Sequence, residues 1–168
     1  MNGCATFSPN DGGVVYILTG KDTSDPTFNI YKYNFDMNTY TLLHTNSSVD
    51  SLSKASCAAF SDAFGHLNLV AIGGVVATEP IGSRNKFLVR VYNITTTEWT
   101  FLPEYPIASL AATLLVNSNY LYVIGGEGPG LTKIYKMDLD IKGGWVLVQT
   151  TTVDLDASKN FVIPYNFT

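Results

Sequence analysis

The chain has 168 residues, a net charge of −4 and a hydrophobic fraction of 46%, enough for one domain with a real core and too apolar for a disordered chain. Charged residues make up only 14%, sparse for a surface wetted on every side, so some apolar area should be covered. The ten Lys and Arg are scattered, which argues against the basic face that nucleic acid needs. The apolar runs "YLYVI" and "LVAIGGVVA" are strand-sized, well short of a membrane span.

In chain order, a small-residue strand is expected in "CATFSPNDG" (4–12), then the apolar strand "VVYILTG" (14–20), the polar loop "KDTSDPTFN" (21–29) and a hairpin through "YNFDMNTY" (33–40). The same order returns in "CAAFSDAFG" (57–65), "NLVAIGG" (68–74), the loop "VVATEPIGSRNK" (75–86) and "YNITTTEW" (92–99). It returns again in "AATLLVNSN" (111–119), "YLYVIGG" (120–126), "EGPGL" (127–131) and "YKMDLDIKGGW" (135–145). Finally "ASKNFVIPYN" (157–166) is similar to "SKASCAAFSD" (53–62) and reads as the first strand of a fourth unit.

Three landmarks in a constant order make this an internal repeat. The Gly pairs Gly73–Gly74 and Gly125–Gly126, with a degenerate Thr19–Gly20, are 54 and then 52 residues apart. Tyr33, Tyr92 and Tyr135 open the hairpins, which close on Tyr40, Trp99 and Trp145. The polar turns "DMNT" and "TTTE" suit a two-strand connection, and no segment carries a helical period with caps. The apolar strands do not alternate cleanly, which predicts burial of both their faces.

These residues resemble the kelch repeat family of β-propellers, whose period is about 50 residues per four-stranded blade. The resemblance covers nearly the whole chain and implies an all-β, incomplete propeller occupying residues 1–168. Its three blades fall at about 3–44, 54–103 and 108–149, with an extra strand near 158–165. The glycines then end each second strand where the backbone turns close to a neighbouring blade. A phosphate-binding reading of "GGEGPG" fails, because it does not fit G-x-G-x-x-G and Leu131–Thr132 stand where a P-loop has Lys-Ser/Thr.

Residues able to carry chemistry are few. His44 and His66 lack a second ligand at metal spacing and read as surface histidines. Asp36, Asp138, Asp140, Asp154 and Asp156 lack the EF-hand order and read as solvated turns. Cys4 and Cys57 fall on the first strands of adjacent blades. A blade-to-blade distance exceeds the roughly 4.4–6.8 Å that a disulfide tolerates between Cα atoms, so two small buried residues are expected rather than a bridge.

Variable loops on a rigid scaffold carry binding function, which makes Glu79, Arg84, Lys86 and Glu127 the candidate contact residues. Sequons at Asn46, Asn93 and Asn166 permit glycan attachment in a secreted protein, with Asn46 and Asn93 the favoured sites. The N-terminal "MNGCATFSPNDGG" has no basic or apolar leader region, so a cytoplasmic location stays open as the alternative. The expected function is a non-enzymatic scaffold binding a protein or glycan, with no cofactor. The alternatives implied by the resemblance are part of a secreted kelch-fold enzyme similar to galactose oxidase, which uses copper with Tyr and His ligands, or a cytosolic kelch adaptor. Three blades leave terminal faces open, with Val14, Tyr16, Leu18, Leu121 and Val123 expected there, which points to self-association or to further blades of a longer chain.

Overall fold

The computed structural model describes residues 2–8, 13–20, 28–46, 52–53, 55–73, 75–76, 88–107, 112–126 and 132–152. Among them there are strands and turns and no helix. The strand expected near 158–165, together with Glu79, Arg84, Lys86, Glu127, Gly74, Asp154, Asp156 and Asn166, lies outside the described residues.

The first sheet holds β1 (Asn2–Ser8), β2 (Val14–Gly20), β3 (Phe28–Asn34) and β4 (Thr39–Asn46), paired antiparallel in sequence order. Next in the chain come the two-residue β5 (Leu52–Ser53), then β6 (Ser56–Ser61), β7 (Leu67–Ile72) and β8 (Val75–Val76). The second sheet is formed by β6, β7, β9 (Val89–Asn93) and β10 (Trp99–Leu102), while β5 and β8 pair only with each other. The third holds β11 (Thr113–Asn117), β12 (Tyr120–Ile124), β13 (Lys133–Asp138) and β14 (Trp145–Thr150). Three four-stranded antiparallel sheets thus follow one another along the chain.

Val, Ile, Leu and Tyr fill β2, β7 and β12 because branched and aromatic side chains pack well on a pleated surface. Successive side chains of a strand point to opposite faces, and β7 uses both. Leu69 and Ala71 join Val14, Tyr16, Leu18, Phe28 and Ile30 in one core between the first and second sheets. Val70 and Ile72 join Leu121, Val123 and Met137 in another between the second and third. Fully burying each such aliphatic side chain contributes about 1.5–3 kcal/mol. Among the described residues, the middle sheet is therefore covered on both faces and the outer two on one.

This corrects two expectations. Burial of both faces holds for β7 but not for β2 or β12, whose alternate residues stay half-buried. Val14, Tyr16, Leu18, Leu121 and Val123 are at most 2% exposed, because they face the middle sheet. The positions turned away from the middle sheet are their half-buried neighbours, Val15 and Ile17 on β2 and Tyr120, Tyr122 and Ile124 on β12.

The glycine turns differ between units. Gly73 (φ 68°), Gly125 (φ 65°) and Gly126 (φ 111°) are left-handed, a conformation costly to any residue with a Cβ. In the first unit the ladder runs on through Thr19 and Gly20, which pair with Asn29 and Phe28, so no such turn is needed there.

Candidate functional site

Antiparallel pairing places the β1–β2 and β3–β4 turns, and their counterparts in the other two sheets, at one end of each sheet. The β2–β3, β7–β9 and β12–β13 connections leave from the opposite end. The described residues build the first end in detail.

Each outer hairpin there begins with a side chain that caps its own turn. Asn34 Oδ1 accepts from the Met37 N–H at 3.0 Å, Asn93 Oδ1 from Thr95 and Thr96 at 2.8 and 2.9 Å, and Asp138 Oδ1 from Asp140 and Ile141 at 2.9 and 3.0 Å. Such Asx turns give the backbone a local partner in place of a ladder bond. Four residues on, Asn38, Thr97 and Lys142 are left-handed, with φ of 49°, 59° and 52°. Two turn-to-turn bonds also recur, Ile94 N–H to Leu67 O at 3.1 Å and Leu139 N–H to Asn119 O at 2.8 Å.

These equivalences correct the alignment of the third unit. Tyr33 pairs with Tyr40, Tyr92 with Trp99, and Met137 with Trp145. Met137 therefore holds the position of Tyr33 and Tyr92, and Tyr135 lies two residues earlier, opposite Val123. The third hairpin is longer by one residue, and Gly144 (φ 109°) accommodates it.

Two clefts open at this end, one of about 370 Å³ between the first and second sheets and one of about 260 Å³ between the second and third. The smaller is lined by Asp62, Asn93, Thr96 and Glu98 of the second sheet with Lys142 of the third. Its lining combines charges of both signs and hydroxyl groups with the apolar side chains of Phe60, Val91, Leu102 and Leu139. Desolvation tends to raise the Asp62 pKa, but the N–H groups of His66 and Phe64, both 2.9 Å from Oδ1, and the nearby His66 imidazole lower it overall. Among the described residues no three His, Cys, Asp or Glu side chains are grouped to hold a metal ion.

Hydrogen bonds and ring contacts also join the neighbouring sheets. Trp99 donates its indole N–H to His44 Nε2 at 3.3 Å, and Trp145 donates to the Pro103 carbonyl at 2.9 Å. Tyr92 packs against His44 at a tilt with centroids 4.9 Å apart, and Tyr105 and Trp145 meet in a T-shaped contact at 5.0 Å. Burial raises the phenol pKa of both Tyr92 and Tyr105, with Tyr135 adding to the effect at Tyr105. His44 is thus a half-buried contact between sheets rather than a surface residue. His66 sits in an exposed turn, its Nδ1 3.3 Å from Asp62 Oδ2.

Cys4 and Cys57 form a disulfide with Cα atoms 5.8 Å apart, contrary to the expectation of two free thiols. Their strands β1 and β6 are edge strands of adjacent sheets that pack directly against each other, and the distance there falls within disulfide reach. Asn93 and Asn46 are the last residues of β9 and β4, where they pair with Asn68 and Phe28, and a turn at 94–96 follows Asn93.

No family model matches this chain, and no curated protein does. Among solved structures, one described as YjhT is similar at 16% identity with a TM-score of 0.61, over 89% of this chain and 53% of that one. The chain thus spans about half the length of that protein, and the likeness is one of fold.

Proposed function

We propose that this chain is a kelch-type β-propeller segment acting as a binding scaffold, with protein or glycan as partner. The observation that supports it best is the common exit of the β2–β3, β7–β9 and β12–β13 connections from one end of three sheets held together by cores, a disulfide and indole hydrogen bonds. Rigid elements with variable connections at one end suit recognition. Glu79, Arg84, Lys86 and Glu127 belong to those connections and are the proposed contacts. The Cys4–Cys57 bridge favours an oxidising, extracellular setting, with glycan carried at Asn93 or Asn46.

Arrays of glycans and of folded extracellular domains, probed with the purified chain, test this reading. Binding that is lost in the Arg84→Glu/Lys86→Glu variant is expected. No binding, or binding unchanged in that variant, contradicts it. Expression in a eukaryotic secretory host followed by glycosidase digestion should shift gel mobility, and an Asn93→Gln/Asn46→Gln variant should remove the shift.

A further inference from the structure

The two outer faces of the stack are chemically the two halves of an interface that the stack already contains. On the first sheet, the face packed against the second is built from the cross-strand pairs Tyr16–Lys32 and Leu18–Ile30. On the third sheet, the open face carries Tyr122–Lys136 and Ile124–Ile134 at the same positions of β12 and β13. Even the irregularity in the outermost pairing recurs, between Ile30 and Tyr31 in one sheet and Ile134 and Tyr135 in the other. That bulge places Gln149 where the first sheet has His44.

The complementary half recurs too. The second sheet meets the first through Leu69, Ala71, Tyr92 and Trp99, of which Leu69 pairs with Tyr92 and Tyr92 with Trp99. At the same positions the open face of the first sheet has Val15, Ile17, Tyr33 and Tyr40, with Val15 paired to Tyr33 and Tyr33 to Tyr40. Tyr40 is 67% exposed and Leu42 beside it 53%, which is unusual for large apolar side chains grouped on one face.

We propose that the open face of the third sheet docks on the open face of the first sheet of a second copy of this chain, and that two copies close into one ring through two identical contacts. Each contact repeats the packing of the first sheet on the second. The hydroxyl of Tyr40 takes the place of the Trp99 indole and donates to the side-chain oxygen of the partner's Gln149, as Trp99 donates to His44. Head-to-tail contacts generate either a closed ring or an open filament. The structural relative, of which this chain spans 53%, has room for two such stacks in one chain, which favours closure at two copies.

Light scattering coupled to size exclusion, on the disulfide-intact 168-residue chain, should give a mass twice the 18.3 kDa of one chain. Ile17→Glu, on the first sheet's open face, and Tyr122→Glu, on the third's, place a charge in the contact. Each alone should weaken association by about a hundredfold or more. Mixed together, the two variants should recover pairing, because one of the two contacts in the mixed pair joins two unaltered faces. Strand content and the Cys4–Cys57 bridge, checked in each variant, separate lost docking from lost folding. A monomer, a growing series of larger species, a dimer that only one of the variants affects, or a mixture that stays monomeric overturns the proposal.

Discussion

Trp99 and His44 lie 55 residues apart in sequence, and the Trp99 indole N–H reaches His44 Nε2 at 3.3 Å, joining the outermost strands of neighbouring sheets. The bond requires His44 to accept at Nε2. Phe28 meets the Trp99 ring edge-on at 5.3 Å, so the side chain is held by packing as well as by its hydrogen bond. Trp99→Phe should cost about 1 kcal/mol for the lost bond, beyond any change in packing. His44→Ala should be largely non-additive with it, and a double-mutant cycle by chemical unfolding measures the coupling. Fully additive losses would mean that the two side chains act separately.

The Cys4–Cys57 bridge closes a loop of 53 residues. Chain entropy sets its effect at about 4 kcal/mol. The Cys4→Ala/Cys57→Ala variant should lower the unfolding midpoint while leaving strand content by circular dichroism unchanged, since both cysteines lie in ladders completed by backbone hydrogen bonds. Peptide mapping without reductant should recover a linked pair of peptides.

Thr97 holds a left-handed backbone, φ 59°, where a β-branched side chain is strained. Asn38 occupies the same place in the first sheet with a residue that tolerates it. Thr97→Asn and Thr97→Gly should each stabilise the chain by about 1 kcal/mol, read as a higher denaturant midpoint at unchanged slope. A loss of stability in both variants would contradict this.

The ordering of these units was largely legible in the sequence, because glycine pairs and hairpin aromatics are local signals. Three things were not. Tyr135 has the right side chain two positions too early, and only the Asx turn at Asp138, matching Asn34 and Asn93, reveals Met137 as the true counterpart. The face a strand turns to its neighbour cannot be read from an unbroken apolar run such as β2, where Tyr16 and Leu18 face the second sheet and Val15 and Ile17 face away from it. The closeness of Cys4 to Cys57 depends on how the edge strands β1 and β6 pack on each other, a property of the stack rather than of either strand.

Asp62 sets an acid dependence. Its pKa lies below the ordinary 3.8 in the folded chain, so the stabilisation from its charge is present above that value and is lost as pH falls through the lowered pKa. Asp62→Asn retains a side-chain oxygen for the Phe64 and His66 N–H groups but cannot titrate. Its unfolding midpoint should therefore change less below about pH 4 than that of the parent chain. Equal acid sensitivity of the two would place the titration elsewhere.

Hydrogen exchange resolved to single amides is the most direct measure of the stack itself, whose middle sheet is covered on both faces. Amides of Leu69–Ile72 and Val89–Tyr92, at the centre of that sheet, should exchange most slowly and together, at the rate of global unfolding. Those of Thr39–Leu42 and Val146–Val148, on outermost strands with exposed apolar side chains, should exchange much faster through local opening. Slow exchange centred on the first or third sheet, with β7 and β9 opening first, would contradict the arrangement.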